Sequence, residues 1–138
     1  MTWPVPSCRT ATGAFGAPHA GIDIADESIS RKIVVAAAPG TVKYAGVDPN
    51  EPAYGIQVRI DHGDGYMTRY AHLLENPDIA QYGVDKLQEG DTVQPGQPIG
   101  RVGSGYNAIG PHLHFEVIDI ATGKQLDPLN FLVTQDEQ

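Results

Sequence analysis

One cysteine in 138 residues, Cys8, excludes an internal disulfide. Its neighbours offer nothing that would activate the thiol, so a partly buried small side chain is expected rather than a nucleophile. Positive charge is scarce as well: nine Lys and Arg stand against 17 Asp and Glu, a formal charge of −8 and a pI near 4.8. That balance argues against a nucleic-acid binder and leaves no basic patch for an anionic membrane or wall polymer. No stretch is long and apolar enough to span a bilayer. The start, Met1-Thr2-Trp3-Pro4, lacks a basic segment followed by an apolar one, so no signal peptide is expected. On that reading the chain leaves the cytoplasm by another route, phage-borne and holin-released, or is a slice of a longer protein. Helical periodicity is missing too, and no long helix is expected.

Glycine and proline are plentiful instead, 16 and 11 residues spread along the chain, which suits short strands joined by tight turns. At 41% hydrophobic the chain is too apolar for disorder, and its length fits one domain, 1–132, with a polar tail, 133–138. Strands are expected from His19 to Ala25, Ile33 to Ala38 and Thr41 to Val47. A hairpin follows, Tyr54 to Asp61 and Tyr66 to His72 around His62-Gly63-Asp64-Gly65. Residues 75–87 read as a loop with one helical turn near Pro77 to Gln81, and 90–100 as two very short strands. Ala121 to Lys124 turns the last long strand back toward Leu126-Asp127-Pro128. The fold class is all-β, built of antiparallel sheets.

The last long strand carries His112-Leu113-His114-Phe115-Glu116. Period-2 alternation puts His112, His114 and Glu116 on one face and Leu113, Phe115 and Val117 on the other. Two imidazoles roughly 6–7 Å apart on a rigid strand allow one to bind a metal while the other reaches a water or substrate atom on it. His19 and Asp23 would stand roughly 13 Å apart if extended, too far for one ion, but Gly21 between them is a place to bend. With one imidazole from the 112/114 pair they make the three-ligand set of a catalytic zinc, open at a fourth position. There is no His-Glu-x-x-His, so a helix-borne general-base Glu is absent.

The strings His19-x-x-x-Asp23, Tyr70-Ala71-His72-Leu73, Val93-x-x-Gly96-x-x-Ile99-Gly100 and Gly110-Pro111-His112-Leu113-His114-Phe115-Glu116, closed by Asp127-Pro128, resemble the lysostaphin-type (LytM-like) zinc metalloendopeptidases. The resemblance runs from about Trp3 to Phe131. It implies a β-sheet sandwich with a substrate groove across the larger antiparallel sheet. It also implies one zinc per chain on His19, Asp23 and His114, with His72 and His112 as catalytic histidines. In such a site the scissile carbonyl is polarised and a water is acidified toward a pKa near ~7. Two imidazoles outside the ligand set can orient or deprotonate that water and stabilise the oxyanion. Tyr70, on the strand face of His72, either lines the groove or is an ordinary packed tyrosine, and Asn107 is a second candidate for substrate contact. The short segment before His19, without the family's usual Arg after Phe15-Gly16, and the long 75–87 loop bear on substrate preference.

Other polar residues have blander readings. His62, in a Gly-rich turn beside Asp61 and Asp64, is structural or solvated; Glu116 stands behind the site or on the surface; Asp48, Glu51, Asp85, Glu89 and Asp91 are solvated loop charges. Gly103, Gly105 and Gly110 shape a loop and bind no phosphate, because no helix follows. The expected function is a monomeric, bacteriolytic peptidoglycan endopeptidase cutting stem or cross-bridge peptides of the cell wall, extracellular or periplasmic. A phage lysin, a virion-associated domain and an excised catalytic domain all suit it. The alternative is a non-catalytic binding or regulatory module of the same fold. The resemblance implies that such members have lost ligand or catalytic positions, and here all five stand. A sugar-phosphotransfer domain is disfavoured by Asp23, whose carboxylate would repel a phosphohistidine.

Overall fold

The computed structural model describes residues 1–16, 19–25, 29, 32–74, 87–103 and 111–133. Among them lie strands β1 (Ala11–Gly13), β2 (Ile22–Ile24), β3 (Ile33–Val35), β4 (Gly40–Val47), β5 (Ile56–Asp61), β6 (Tyr66–Leu73), β7 (Thr92–Val93), β8 (Pro98–Arg101), β9 (Leu113–Asp119) and β10 (Gln125–Leu126). Two single 3-10 turns, Pro52–Tyr54 and Pro128–Asn130, complete the regular structure of the described residues. Eight strands form one sheet in the order β1-β2-β9-β6-β5-β4-β7, with β10 also on β9, and β3 pairs β8 in a second sheet. Every pairing is antiparallel. The expected all-β architecture is what forms.

The two sheets share one core. Val34 and Ile99 of the small sheet and Val102 beside it pack in one buried cluster with Val42, Ile60, Tyr70 and Phe115 of the large one. Trp3, Val5, Cys8 and Leu132 join the same cluster, so both ends of the described chain are tied into it. The Trp3 indole N–H donates to the Val133 carbonyl at 2.7 Å. Cys8 is buried there as a small apolar side chain, as expected. Among the described residues no helix is long and apolar enough to cross a membrane.

Two local expectations change. Tyr54 does not open β5 but ends the 3-10 turn, because Pro52 starts that turn and Gly55, at φ 62°, closes it. The last long strand begins at Leu113, one residue after His112, and is buried on both faces up to Ile118. His114 and Glu116 share one face of this strand, as alternation requires. That face is covered by Tyr54, whose ring centroid lies 5.7 Å from that of His114, and by Arg69 of β6. The helical turn expected near Pro77, the loop glycines Gly105 and Gly110, and the polar tail from 134 onward lie outside the described residues.

Candidate metal centre

Strand pairing brings the first two groups together. Asp23 and His114 are direct partners across β2 and β9, and on the other side His114 faces Ala71 of β6. His114 Nδ1 lies 3.1 Å from Asp23 Oδ1. His19 reaches the same oxygen from outside the strand, with Nε2 at 3.3 Å. The chain bends at Gly21 between them. A Cβ at Gly21 would collide with the Phe115 carbonyl oxygen and stand 2.8 Å from Glu116 Cγ, so this bend can lie against β9 only as glycine. Gly13 of β1 is equally confined, because a Cβ there would stand 2.8 Å from Asp23 Oδ2 and 3.2 Å from His19 Cε1.

One donor atom from each of His19, Asp23 and His114 lies within 4.8 Å of the others, so these three could hold a metal ion. Bonds of roughly 2.0–2.1 Å at a tetrahedral ion put ligand atoms about 3.3 Å apart, which the 3.1 and 3.3 Å separations match. The far nitrogens fit as well. His19 Nδ1 is 2.7 Å from the Ala14 carbonyl, and His114 Nε2 is 2.8 Å from Glu116 Oε2. Each far nitrogen therefore donates its N–H outward, and the nitrogen nearer Asp23 is the one that could give a lone pair to an ion.

His72 and His112 stand beside this triad. Their ring centroids are 5.0 Å apart, edge to face, and His112 Nε2 is 3.8 Å from Asp23 Oδ1. His72 arrives by a break in its strand. Between the Val58–Tyr70 and Ile56–Leu73 pairs, Ala71 and His72 together oppose the single residue Gln57, and His72 takes φ 63°. This bulge turns the imidazole off the Tyr70 face onto the His114 face. All five residues, with Tyr54, Ala53 and Ala20, line an open cleft of ≈ 300 Å³.

The groups perturb one another. Burial works against charge at His114, yet its hydrogen bonds to the Asp23 and Glu116 carboxylates push it up to about 9. Burial would also raise Asp23, but the hydrogen bond from His114 and the nearby His112 and His19 hold it below the usual carboxylate range. His72 is driven the other way, down to about 4, by burial and then by His112 and His114, with Asp23 opposing. Tyr54 is pushed up to about 12 by burial and by its hydrogen bond to Glu116.

Two expectations need correction. Tyr70 does not line the cleft: it is fully buried, its ring on Phe115 at 5.3 Å and its hydroxyl bonded to Thr68 and the Ala37 N–H. The bulge at His72 separates the faces that alternation had joined. Of the two places expected for Glu116 the one behind the site holds, since it is wholly buried on His114 and Arg69. Asp48 and Glu51 are not merely solvated, since Arg59 lies 3.5 Å from each and Arg69 3.1 Å from Glu51. Asn107 lies outside the described residues. His62 proves structural, with Nδ1 2.8 Å from the Pro39 carbonyl and Nε2 2.8 Å from Thr68 Oγ1. Tyr54 is the cleft residue that strand periodicity missed. The signal was present in Pro52 and Gly55, which together make a strand start at Tyr54 implausible.

A carboxylate and two imidazoles that could hold one ion, with two further imidazoles beside them, stand together on an antiparallel sheet, an arrangement of the kind that metal-dependent hydrolases use. The model of Peptidase family M23 matches residues 17–128, and the chain belongs to this family, that of the LytM/lysostaphin-type peptidases. Peptidoglycan DD-endopeptidase ShyA of Vibrio cholerae is 41% identical over 69 residues, 50% of this chain and 14% of ShyA. Murein hydrolase activator NlpD of Escherichia coli is 33% identical over 134 residues, 95% of this chain and 31% of NlpD. The crystal structure of a zinc containing peptidase from Vibrio cholerae superposes with a TM-score of 0.69 at 29% identity, covering 90% of this chain and 37% of that one. The chain thus spans less than a third of the length of either curated relative. Its relatives include a protein named as an endopeptidase and one named as an activator of murein hydrolases.

Proposed function

We propose that residues 1–132 form a zinc-dependent endopeptidase that hydrolyses peptide bonds of bacterial peptidoglycan, outside the cytoplasmic membrane. The observation that carries this reading is the five-residue cluster. Three donor atoms converge on a point with spacings that suit one zinc, and two imidazoles beyond the set face the same cleft. In this reading His19, Asp23 and His114 hold the ion, one per chain. A bound zinc would supply polarisation of the scissile carbonyl and acidification of a water. His72, held neutral by its burial, keeps an N–H to donate to the developing oxyanion. His112, beside the Asp23 carboxylate, takes the proton of the attacking water and passes it to the leaving amine. The cleft is open to solvent, so a peptide could reach the residues that line it.

A second reading, activation of a separate wall hydrolase, is favoured by the likeness to NlpD along 95% of the chain. Activation needs no metal triad and no paired imidazoles, and this chain keeps both. The test is turbidity loss of purified peptidoglycan, followed by mass spectrometry of the released fragments. Zinc-loaded protein should clear the suspension, a chelator should stop it, and added zinc should restore it. Intact sacculi with the zinc-loaded protein, together with faster cleavage by an added murein hydrolase, would replace the peptidase reading by the activator one.

A further inference from the structure

The large sheet holds a buried ion network behind the triad that the proposed chemistry does not use. Glu116 follows His114 by two residues on β9, on the same face, and is wholly buried. Both of its oxygens are committed. Oε2 is 2.8 Å from His114 Nε2, and Oε1 is 3.0 Å from Arg69 Nη1. The Tyr54 hydroxyl lies close enough to the same carboxylate to help hold it charged. Arg69 is itself held from two further sides. Its Nη2 lies 3.1 Å from Glu51 Oε2, and its guanidinium carbon sits 4.2 Å from the centroid of the Tyr54 ring.

We propose that Glu116 is a positioning residue for the metal centre. It fixes His114 in the one ring orientation and tautomer that offer Nδ1 to the ion, and Arg69 holds the carboxylate in place. This inference rests on the reading of His19, Asp23 and His114 as a zinc site. A carboxylate 2.8 Å from Nε2 is a good partner for an N–H and a repulsive one for a lone pair. Nε2 therefore keeps its hydrogen when an ion displaces a proton from the ring, and Nδ1, 3.1 Å from Asp23 Oδ1, is the nitrogen that gives its lone pair. A flipped ring would point a carbon at Glu116 and leave a buried charge without its partner. Glu116 cannot swing away, because Arg69 is tied to Glu51 and stacked on Tyr54. The same network fastens the Pro52–Tyr54 turn, one wall of the cleft, to a metal ligand. His19 has only a backbone carbonyl in the equivalent place, so the charged support belongs to His114 alone among the two ligand histidines.

The experiment measures metal binding and leaves turnover aside. Zinc affinity is determined by chelator competition for the full chain and for Glu116→Gln. Cadmium-113-loaded, 15N-histidine-labelled protein shows by one-bond coupling which ring nitrogen carries the metal. In the unaltered chain the coupling should fall on His114 Nδ1, with a hydrogen retained on Nε2. In Glu116→Gln, zinc affinity should drop roughly 10- to 100-fold and the His114 coupling should weaken or divide between the two nitrogens, while that of His19 stays. Equal affinity and identical couplings in the variant would overturn the inference. If Glu116→Gln does not fold, metal on Nε2 of His114 in the unaltered chain overturns it just as firmly. Failure of the unaltered chain to bind either metal sinks the zinc-site reading itself, an outcome distinct from the other two.

Discussion

Zinc uptake by the metal-free chain should depend steeply on pH, and His114 is the reason. Set between Asp23 and Glu116, its imidazole is pushed up to about 9, with two carboxylate hydrogen bonds outweighing the effect of burial. A nitrogen cannot carry a proton and a metal together, so binding at pH 7 must expel a proton held about two pH units too firmly. At ~1.4 kcal/mol per unit the penalty is on the order of 3 kcal/mol, about a hundredfold in apparent affinity. Affinity should rise about tenfold per pH unit from pH 7 and level off above about 9. Calorimetry in buffers of different ionisation enthalpy counts the protons directly, about one released per zinc at pH 7 and about none above pH 9.5. Constant affinity from pH 7 to 9 without proton release would refute the reasoning. Fold stability follows the same linkage. His114 has a raised pKa, so its contribution is full below ~6.5 and fades as pH rises through about 9. His72, held down to about 4, contributes fully above ~6.5 and loses that as pH falls. Asp23 and Glu116, held below the ordinary carboxylate range, lose theirs at still lower pH. From this cluster alone, the metal-free chain should be most stable near pH ~6.5.

Three sets of substitutions give further tests. His114→Ala should lose zinc and turnover together, whereas His112→Ala should keep zinc and lose roughly 10²–10⁴ in turnover, the usual worth of an acid–base group; zinc content of the two purified variants decides, and the reverse pattern would exchange their roles. His72→Gly should be more stable than His72→Ala by about 1 kcal/mol in denaturant unfolding, since φ 63° strains any side chain there; equal stability would mean the bulge relaxes. His62→Ala should cost about 1–2 kcal/mol, because it strips partners from Thr68 Oγ1 and the Pro39 carbonyl, yet leave turnover per folded molecule unchanged; loss of turnover without loss of stability would place His62 in the site.

The sheet was legible because its strands obey period 2 and its turns are marked by glycine and proline. Ile60 and Val58 point inward from β5 as their spacing requires, and Gly63 and Gly65 close the hairpin at positive φ. The triad was legible for a related reason. Gly21 between His19 and Asp23 marks a bend, and the bend is real, although the sequence does not tell that β9 is what the glycine must lie against. The ion pairs behind the site were illegible, because Glu51, Arg69 and Glu116 come from separate segments and only register places them together. Tyr70 and His72 show the limit most clearly. Alternation assigns them to one face, and that inference holds only while each residue of a strand has one partner across the ladder. A single extra residue on β6 reverses everything beyond it, so Tyr70 goes to the core and His72 to the cleft. Among the described residues other than glycine, His72 alone has positive φ. Folding energetics gives no reason to keep a bulky imidazole in that conformation. Placing it beside His112, next to His19, Asp23 and His114, gives one, which makes the local failure of the pattern itself an argument for the proposed site.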